Sequence, residues 1–149
     1  MKKIFVGAVI VAVAVVIWQV YPTEKRKLRN YIGYLERAVE TEKTDEILSN
    51  IDPAYRDSNG MTYDEISRVI TQFFLQVDSI KIQMSGLEVR IDSVAAEDVV
   101  FASCSLGLRV IGRYEGERVL VLGGIVKPSP VRAFFKKHGK LYRICGAEY

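Results

Sequence analysis

Two cysteines, one histidine and one tryptophan are all that the 149 residues hold of those types. Cys104 and Cys145 allow at most one disulfide, so the chain is no disulfide scaffold. They fit no metal-ligand spacing, and His138 is the only histidine that could help them. An excess of charge of one sign is missing as well: 21 Lys and Arg stand against 18 Asp and Glu. Setting aside Lys2 and Lys3, which precede an apolar stretch, leaves 19 against 18, and no basic helix or basic strip with interleaved aromatics follows. Nucleic acid is therefore not an expected partner. There are only four prolines, and repeats, low-complexity tracts and long linkers are absent. Length and composition together indicate one domain of ordinary size behind an N-terminal segment.

That segment is the one long hydrophobic run. Ile4 to Tyr21, IFVGAVIVAVAVVIWQVY, carries no charge, and its 18 residues would span roughly 27 Å as a helix, just enough for a bilayer core. A cleaved secretory signal is the competing reading, since Lys2 and Lys3 form a positive start and Ala12-Val13-Ala14 has the small-x-small form of a cleavage site. Cleavage there would leave VVIWQVY exposed, which favours an uncleaved single-span anchor over residues 1–22. Trp18 and Tyr21 suit the membrane interface, and Lys25, Arg26, Lys27 and Arg29 would lie at the headgroups. The four cations after the span favour a cytoplasmic C-terminal part, whereas the short signal-like start favours the opposite. The expectation adopted is a single-pass protein of the cytoplasmic membrane with residues 23–149 on its outer side.

From Glu24 to Thr41 the pattern is helical, with Leu28, Ile32, Leu35, Ala38 and Val39 on one face. A second, shorter helix is predicted over Thr44–Ile51, capped by Thr44 and ended by Asp52-Pro53. Asp57-Ser58-Asn59-Gly60 is a turn cluster, because Asp and Asn side chains bond to nearby backbone and Gly accepts positive φ. It does not match a calcium loop: with Gly60 at the sixth position, the first ligand would be Tyr55 and the twelfth Ile66. Thr62 and Glu65 have capping-box spacing at the head of a third helix. Ile66, Val69, Ile70, Phe73, Phe74 and Val77 then form an apolar stripe that should be buried against a sheet.

From Asp78 the period becomes two. Ile80, Ile82 and Met84 alternate, the phase slips at Ser85-Gly86, and Leu87, Val89 and Ile91 alternate in the other phase. A one-residue slip at glycine marks a β-bulge. Glu97 to Arg113 is a second long strand whose even-numbered face is apolar. Arg118 to Val126, Val131 to Lys137 and Leu141 to Tyr149 follow as strands, with a bulge or bend at Gly123-Gly124, a corner or an edge crossing at Pro128 and Pro130, and a hairpin turn at His138-Gly139. The order predicts an α+β domain: three helices packed on a curved, bulged antiparallel sheet of four to five strands. The Phe73 and Phe74 stripe is expected on the even-numbered face of the second strand, filling the interior without a cofactor.

The order of elements, the stretch IDPAYRDSNGMTYDEISRVITQFF and the closing hairpin FFKKHGKLYRICGAEY resemble the nuclear-transport-factor-2-like superfamily, the cystatin-like α+β cone. The resemblance covers Glu24 to Tyr149. It implies a cone that in some members is an isomerase, dehydratase or cyclase and in others an adaptor or ligand-binding domain. The enzymes typically place a carboxylate or histidine inside the cone as a base. Here the inward strand positions carry no Asp, Glu or His, and Glu88, Arg90 and Asp92 fall in the outward phase. The candidate pocket is therefore Tyr31, Tyr34, Tyr55, Asp57, Phe73 and Cys104, with no catalytic residue, metal or cofactor assigned. Many members also pair through the outer sheet face, where Phe101, Ile111 and Phe134 could form a homodimer surface. Were one strand to separate Cys104 from Cys145, their Cα atoms would lie about 10 Å apart, too far for a bridge; on adjacent strands a disulfide stays open.

Three functions fit: a membrane-anchored, non-catalytic cone that binds a small apolar ligand or a protein partner; an isomerase- or cyclase-type enzyme using Asp57 with Tyr31, Tyr34 or Tyr55; or a structural subunit of an envelope complex. The last predicts a filled cone.

Overall fold

The computed structural model describes residues 23–96 and 98–149. The expected membrane span lies outside these, and among the described residues no helix is long and apolar enough to cross a membrane. Three helices come first: α1 (Glu24–Glu40), α2 (Thr44–Ser49) and α3 (Tyr63–Gln76). Five antiparallel strands follow: β1 (Val77–Ala96), β2 (Val99–Tyr114), β3 (Glu117–Leu122), β4 (Ser129–His138) and β5 (Leu141–Glu148). The α+β architecture is the expected one.

Strand β2 is the spine. Along one edge it pairs with β1 over its whole length. Along the other edge its first part pairs with β4 and its last part with β3, and β5 adds beyond β4. The β1 bulge falls where the hydrophobic phase slips: the register shifts between Ser85 and Glu88, and Gly86 adopts φ 61°. That left-handed conformation strains any residue with a Cβ, so glycine marks the position. Between β3 and β4 the chain leaves the edge of β2 for a short excursion over residues 123–128 and rejoins it running in the same direction. A Cβ at Gly123 would stand 2.8 Å from the Leu108 carbonyl oxygen, and the Arg109 guanidinium donates to the carbonyls of Gly124 and Ile125 to hold the corner. Pro130 lies inside β4, opposite Gly107, at an edge of the sheet, the second of the two expectations for it. It is tolerated because β5 pairs with β4 only from Arg132 onward.

The core corrects the expected packing. The buried cluster is Leu28 and Ile32 of α1, Val89 of β1, Ala102 and Cys104 of β2, Phe135 of β4 and Tyr142 of β5. Helix α1, not α3, therefore covers the even-numbered face of β2. No residue of α3 is fully buried: Phe73 and Phe74 are half-buried, and Val69 and Leu75 are 52% and 74% exposed. Periodicity reports that a helix has an apolar stripe but not which surface receives it. Two helices competed for one concave face, and α1 occupies it.

The ends of the helices follow ordinary capping. Thr23 accepts from the Arg26 amide at the head of α1. The Glu65 carboxylate takes both the amide and the hydroxyl of Thr62, as the capping-box spacing predicted. Helix α2 differs from expectation: Lys43 holds the cap position, Thr44 is already helical, and the helix stops at Ser49. Beyond it, residues 50–58 run beside β5, where Asn50, Asp52, Arg56 and Ser58 exchange backbone hydrogen bonds with Ile144, Cys145 and Ala147. This loop covers what would otherwise be an open sheet edge.

Candidate functional site

The six candidate residues occupy three neighbourhoods. Tyr31 sits on α1 with its ring centroid 6.1 Å from Tyr34, 5.8 Å from Tyr142 and 6.2 Å edge-on from Phe135. It packs against the cluster that contains Cys104. Its hydroxyl donates to Asn50 Oδ1 at 2.8 Å, and burial pushes its pKa up. The Tyr34 hydroxyl donates to the Glu46 carboxylate at the surface, and that bond raises its pKa while lowering that of Glu46. Both tyrosines are thus protonated donors at neutral pH, each with its acceptor in place.

Tyr55 and Asp57 form the second neighbourhood. Asp57 is only 7% exposed. Its Oδ1 accepts the amides of Asn59 and Met61 at 2.9 and 2.8 Å, and its Oδ2 accepts the Tyr149 hydroxyl at 2.9 Å. Burial alone would raise its pKa, but the Met61 amide, the Tyr149 hydroxyl and the Asn59 amide together hold it below the usual carboxylate value. Tyr55 is buried beside it; desolvation first, then the nearby Asp57, push its phenol up to about 12. A carboxylate so fully engaged braces its turn and is a poor proton acceptor. Phe73 stands apart on α3, its ring 5.3 Å from Phe74.

A further cluster, which holds none of the six, was not foreseen. At the start of α1, Glu24 Oε1 accepts from Lys137 Nζ and Lys27 Nζ, each at 2.9 Å, and Oε2 accepts the Tyr142 hydroxyl at 2.7 Å. Lys137 is 9% exposed and Tyr142 4%. Desolvation works against the Glu24 carboxylate, but the hydrogen bonds from Lys137, Tyr142 and Lys27 prevail and bring its pKa to about 2. The clue in the sequence was phase: Lys137 lies two residues beyond inward-facing Phe135 and so shares its face. A buried lysine requires an anion, and the first turn of α1 supplies it.

The cysteines are free, Cys104 buried and Cys145 half-buried. Strand β4 lies between their strands, with Cys104 opposite Ala133 and Ala133 opposite Ala147. The separation of roughly two ladder spacings, about 10 Å, excludes a bridge. Burial raises both thiol pKa values, so neither is an activated nucleophile. Among the described residues no group of three His, Cys, Asp or Glu could hold a metal ion. A hollow of about 560 Å³ opens beside the β1 bulge, lined by Gly86, Glu88, Leu106, Pro130, Arg132 and Tyr149 among others. None of the six candidates lines it; Tyr149 connects it to Asp57.

Solved structures with the same arrangement decide the fold. A putative scytalone dehydratase from Novosphingobium aromaticivorans superposes with a TM-score of 0.59 at 12% identity, over 84% of this chain and 81% of that one. A designed nuclear-transport-factor-2 protein superposes with a TM-score of 0.50 at 16% identity, over 85% of this chain and 99% of that one. The domain has the nuclear-transport-factor-2-like fold. The K307A mutant of the helical cell shape determining protein Pgp2 from Campylobacter jejuni contains a similar unit, with a TM-score of 0.63 at 12% identity, over 85% of this chain. The chain spans 41% of the length of that protein. No protein-family model and no curated protein matches the sequence. The nuclear-transport-factor-2-like cone is thus a matter of shape here, at identities where enzymes and non-enzymes share it.

Proposed function

We propose that this chain is a membrane-tethered, non-catalytic cone domain that acts by binding a protein partner. One observation carries the reading: the concave face of the sheet is filled by the chain's own side chains, with Leu28, Ile32, Tyr31, Phe135, Tyr142 and Cys104 packed together. An isomerase or dehydratase needs a carboxylate or histidine facing a substrate-sized space. Asp57 and Glu24 are instead spent on amides, hydroxyls and ammonium groups. The uncharged run Ile4–Tyr21 supports the tether. The same fold occurs within a protein that determines cell shape in Campylobacter, and an envelope assembly is the setting we propose for this chain.

A second reading, binding of a small apolar ligand, is favoured by the hollow beside the β1 bulge, whose volume is in the range of ligand sites. Native mass spectrometry of the full chain purified in detergent separates the two. The expected spectrum is the bare chain mass, alone or as a whole-number oligomer. A stoichiometric small-molecule adduct, lost when Leu106 is replaced by Arg, would overturn the protein-binding reading in favour of the hollow.

A further inference from the structure

The Glu24 cluster fixes more than a helix end. By holding the first turn of α1 against Lys137 and Tyr142, it brings residue 23, where the apolar N-terminal segment joins, to the end of the sheet that carries the β4–β5 turn. The β1–β2 turn is at this end too, since the Gly139 amide donates to the Asp98 carbonyl at 3.0 Å. Lys25, Arg26, Lys27 and Arg29 of α1 are all exposed there. From the sheet side come Lys140 in the turn and, on the face opposite α1 because Tyr142 between them turns inward, Arg143 and Leu141, the latter 69% exposed despite its apolar side chain. Among the described residues, Asp52, which lines a hollow with Arg143, and Asp98 in the β1–β2 turn stand against these cations. Glu24 is already neutralised by Lys137.

We propose that this end of the domain, the β4–β5 turn together with the first turns of α1, docks on anionic phospholipid headgroups of the bilayer that holds the N-terminal segment. The proposal rests on the tethered reading above and adds a second contact to it. A single point of attachment would not by itself fix the orientation of the domain. Cations from two elements remote in sequence, on the two sides of a sheet end that carries a projecting leucine, make a tip that fits an interface of phosphates above acyl chains. Each cation near an anionic surface shifts such a contact equilibrium by roughly fivefold. Docking would fix the domain with its β2–β3 turn pointing away from the membrane, because that turn is at the opposite end of β2.

The test uses the full chain reconstituted into vesicles of phosphatidylcholine, with or without phosphatidylglycerol. A bimane fluorophore is attached at His138→Cys or, as the distant reference, at Arg118→Cys beside the β2–β3 turn, and the lipids carry a headgroup spin-label quencher. Unsubstituted protein taken through labelling measures reaction at Cys104 and Cys145. The expected result is strong quenching at position 138 in vesicles with phosphatidylglycerol, weak quenching at 118, and loss of the difference at high salt or in an Arg29→Glu/Arg143→Glu variant. Equal quenching at the two positions in protein that stays with the vesicles after alkaline carbonate would overturn the docking proposal and leave the tether standing. Release of the protein by carbonate would overturn the tether itself.

Discussion

Replacing Glu24 by Gln tests whether one partly buried ion pair holds the start of α1 to the sheet. The folded carboxyl titrates at about 2, against an ordinary value of 4.5. A depressed carboxyl pKa stabilises the fold fully above the unfolded value, and that stability disappears as pH falls toward the folded one. At about 1.4 kcal/mol per unit the linkage reaches roughly 3 kcal/mol as a ceiling. The Glu24 side chain is 30% exposed and Lys27 lies at the surface, so solvent screening brings the expected effect to about 2 kcal/mol. Glutamine keeps the shape and removes the charge, which leaves Lys137, with its side chain only 11% exposed, facing a neutral amide. Urea unfolding of the full chain in non-ionic detergent, followed by far-ultraviolet circular dichroism, should show a lower midpoint for Glu24→Gln at pH 7 with an unchanged slope. The gap between variant and wild type should shrink by more than half at pH 3. A gap that stays constant from pH 7 to pH 3 would refute the electrostatic account, and no gap at pH 7 would refute the pair's contribution altogether.

Leu28→Ala should destabilise by about 3–4 kcal/mol, whereas Phe73→Ala, on the half-covered face of α3, should lose only about 1–2 kcal/mol; denaturant midpoints of the two variants check the ranking, and the reverse order would put α3 in the core. Asp57→Asn should lower stability by about 1–2 kcal/mol at pH 7 because the acceptor of three hydrogen bonds loses its charge. Amide exchange should report the loss as faster exchange at Asn59 and Met61, and unchanged exchange there would separate Asp57 from its turn.

Much of the fold was legible because it depends on local chemistry. The phase slip at Ser85-Gly86 identified the bulge, since side-chain alternation is a property of the strand itself. Thr62 and Glu65 marked the start of α3 by spacing alone. The separation of Cys104 from Cys145 depended on strand order: in the sequence both a bridge and a gap were possible, and the placement of β4 between their strands removed the bridge. The candidate pocket divided for the same reason. Tyr31 and Cys104 met in the core, Tyr55 and Asp57 met at a turn, and Phe73 joined neither, because their distances were set by which helix covered the sheet.

By itself the sequence determined the succession of elements, their apolar faces, the capping box of α3, most of the turns, and the uncharged N-terminal run. Each of these follows from residue type and spacing within a few positions of the chain. Tertiary structure alone decided that α1 rather than α3 fills the cone, and that Lys137 needs Glu24, 113 residues away, as its counter-ion. Both are choices between surfaces of similar apolarity or charge made across long stretches of chain, and competition for one concave face is settled only when the whole sheet has formed.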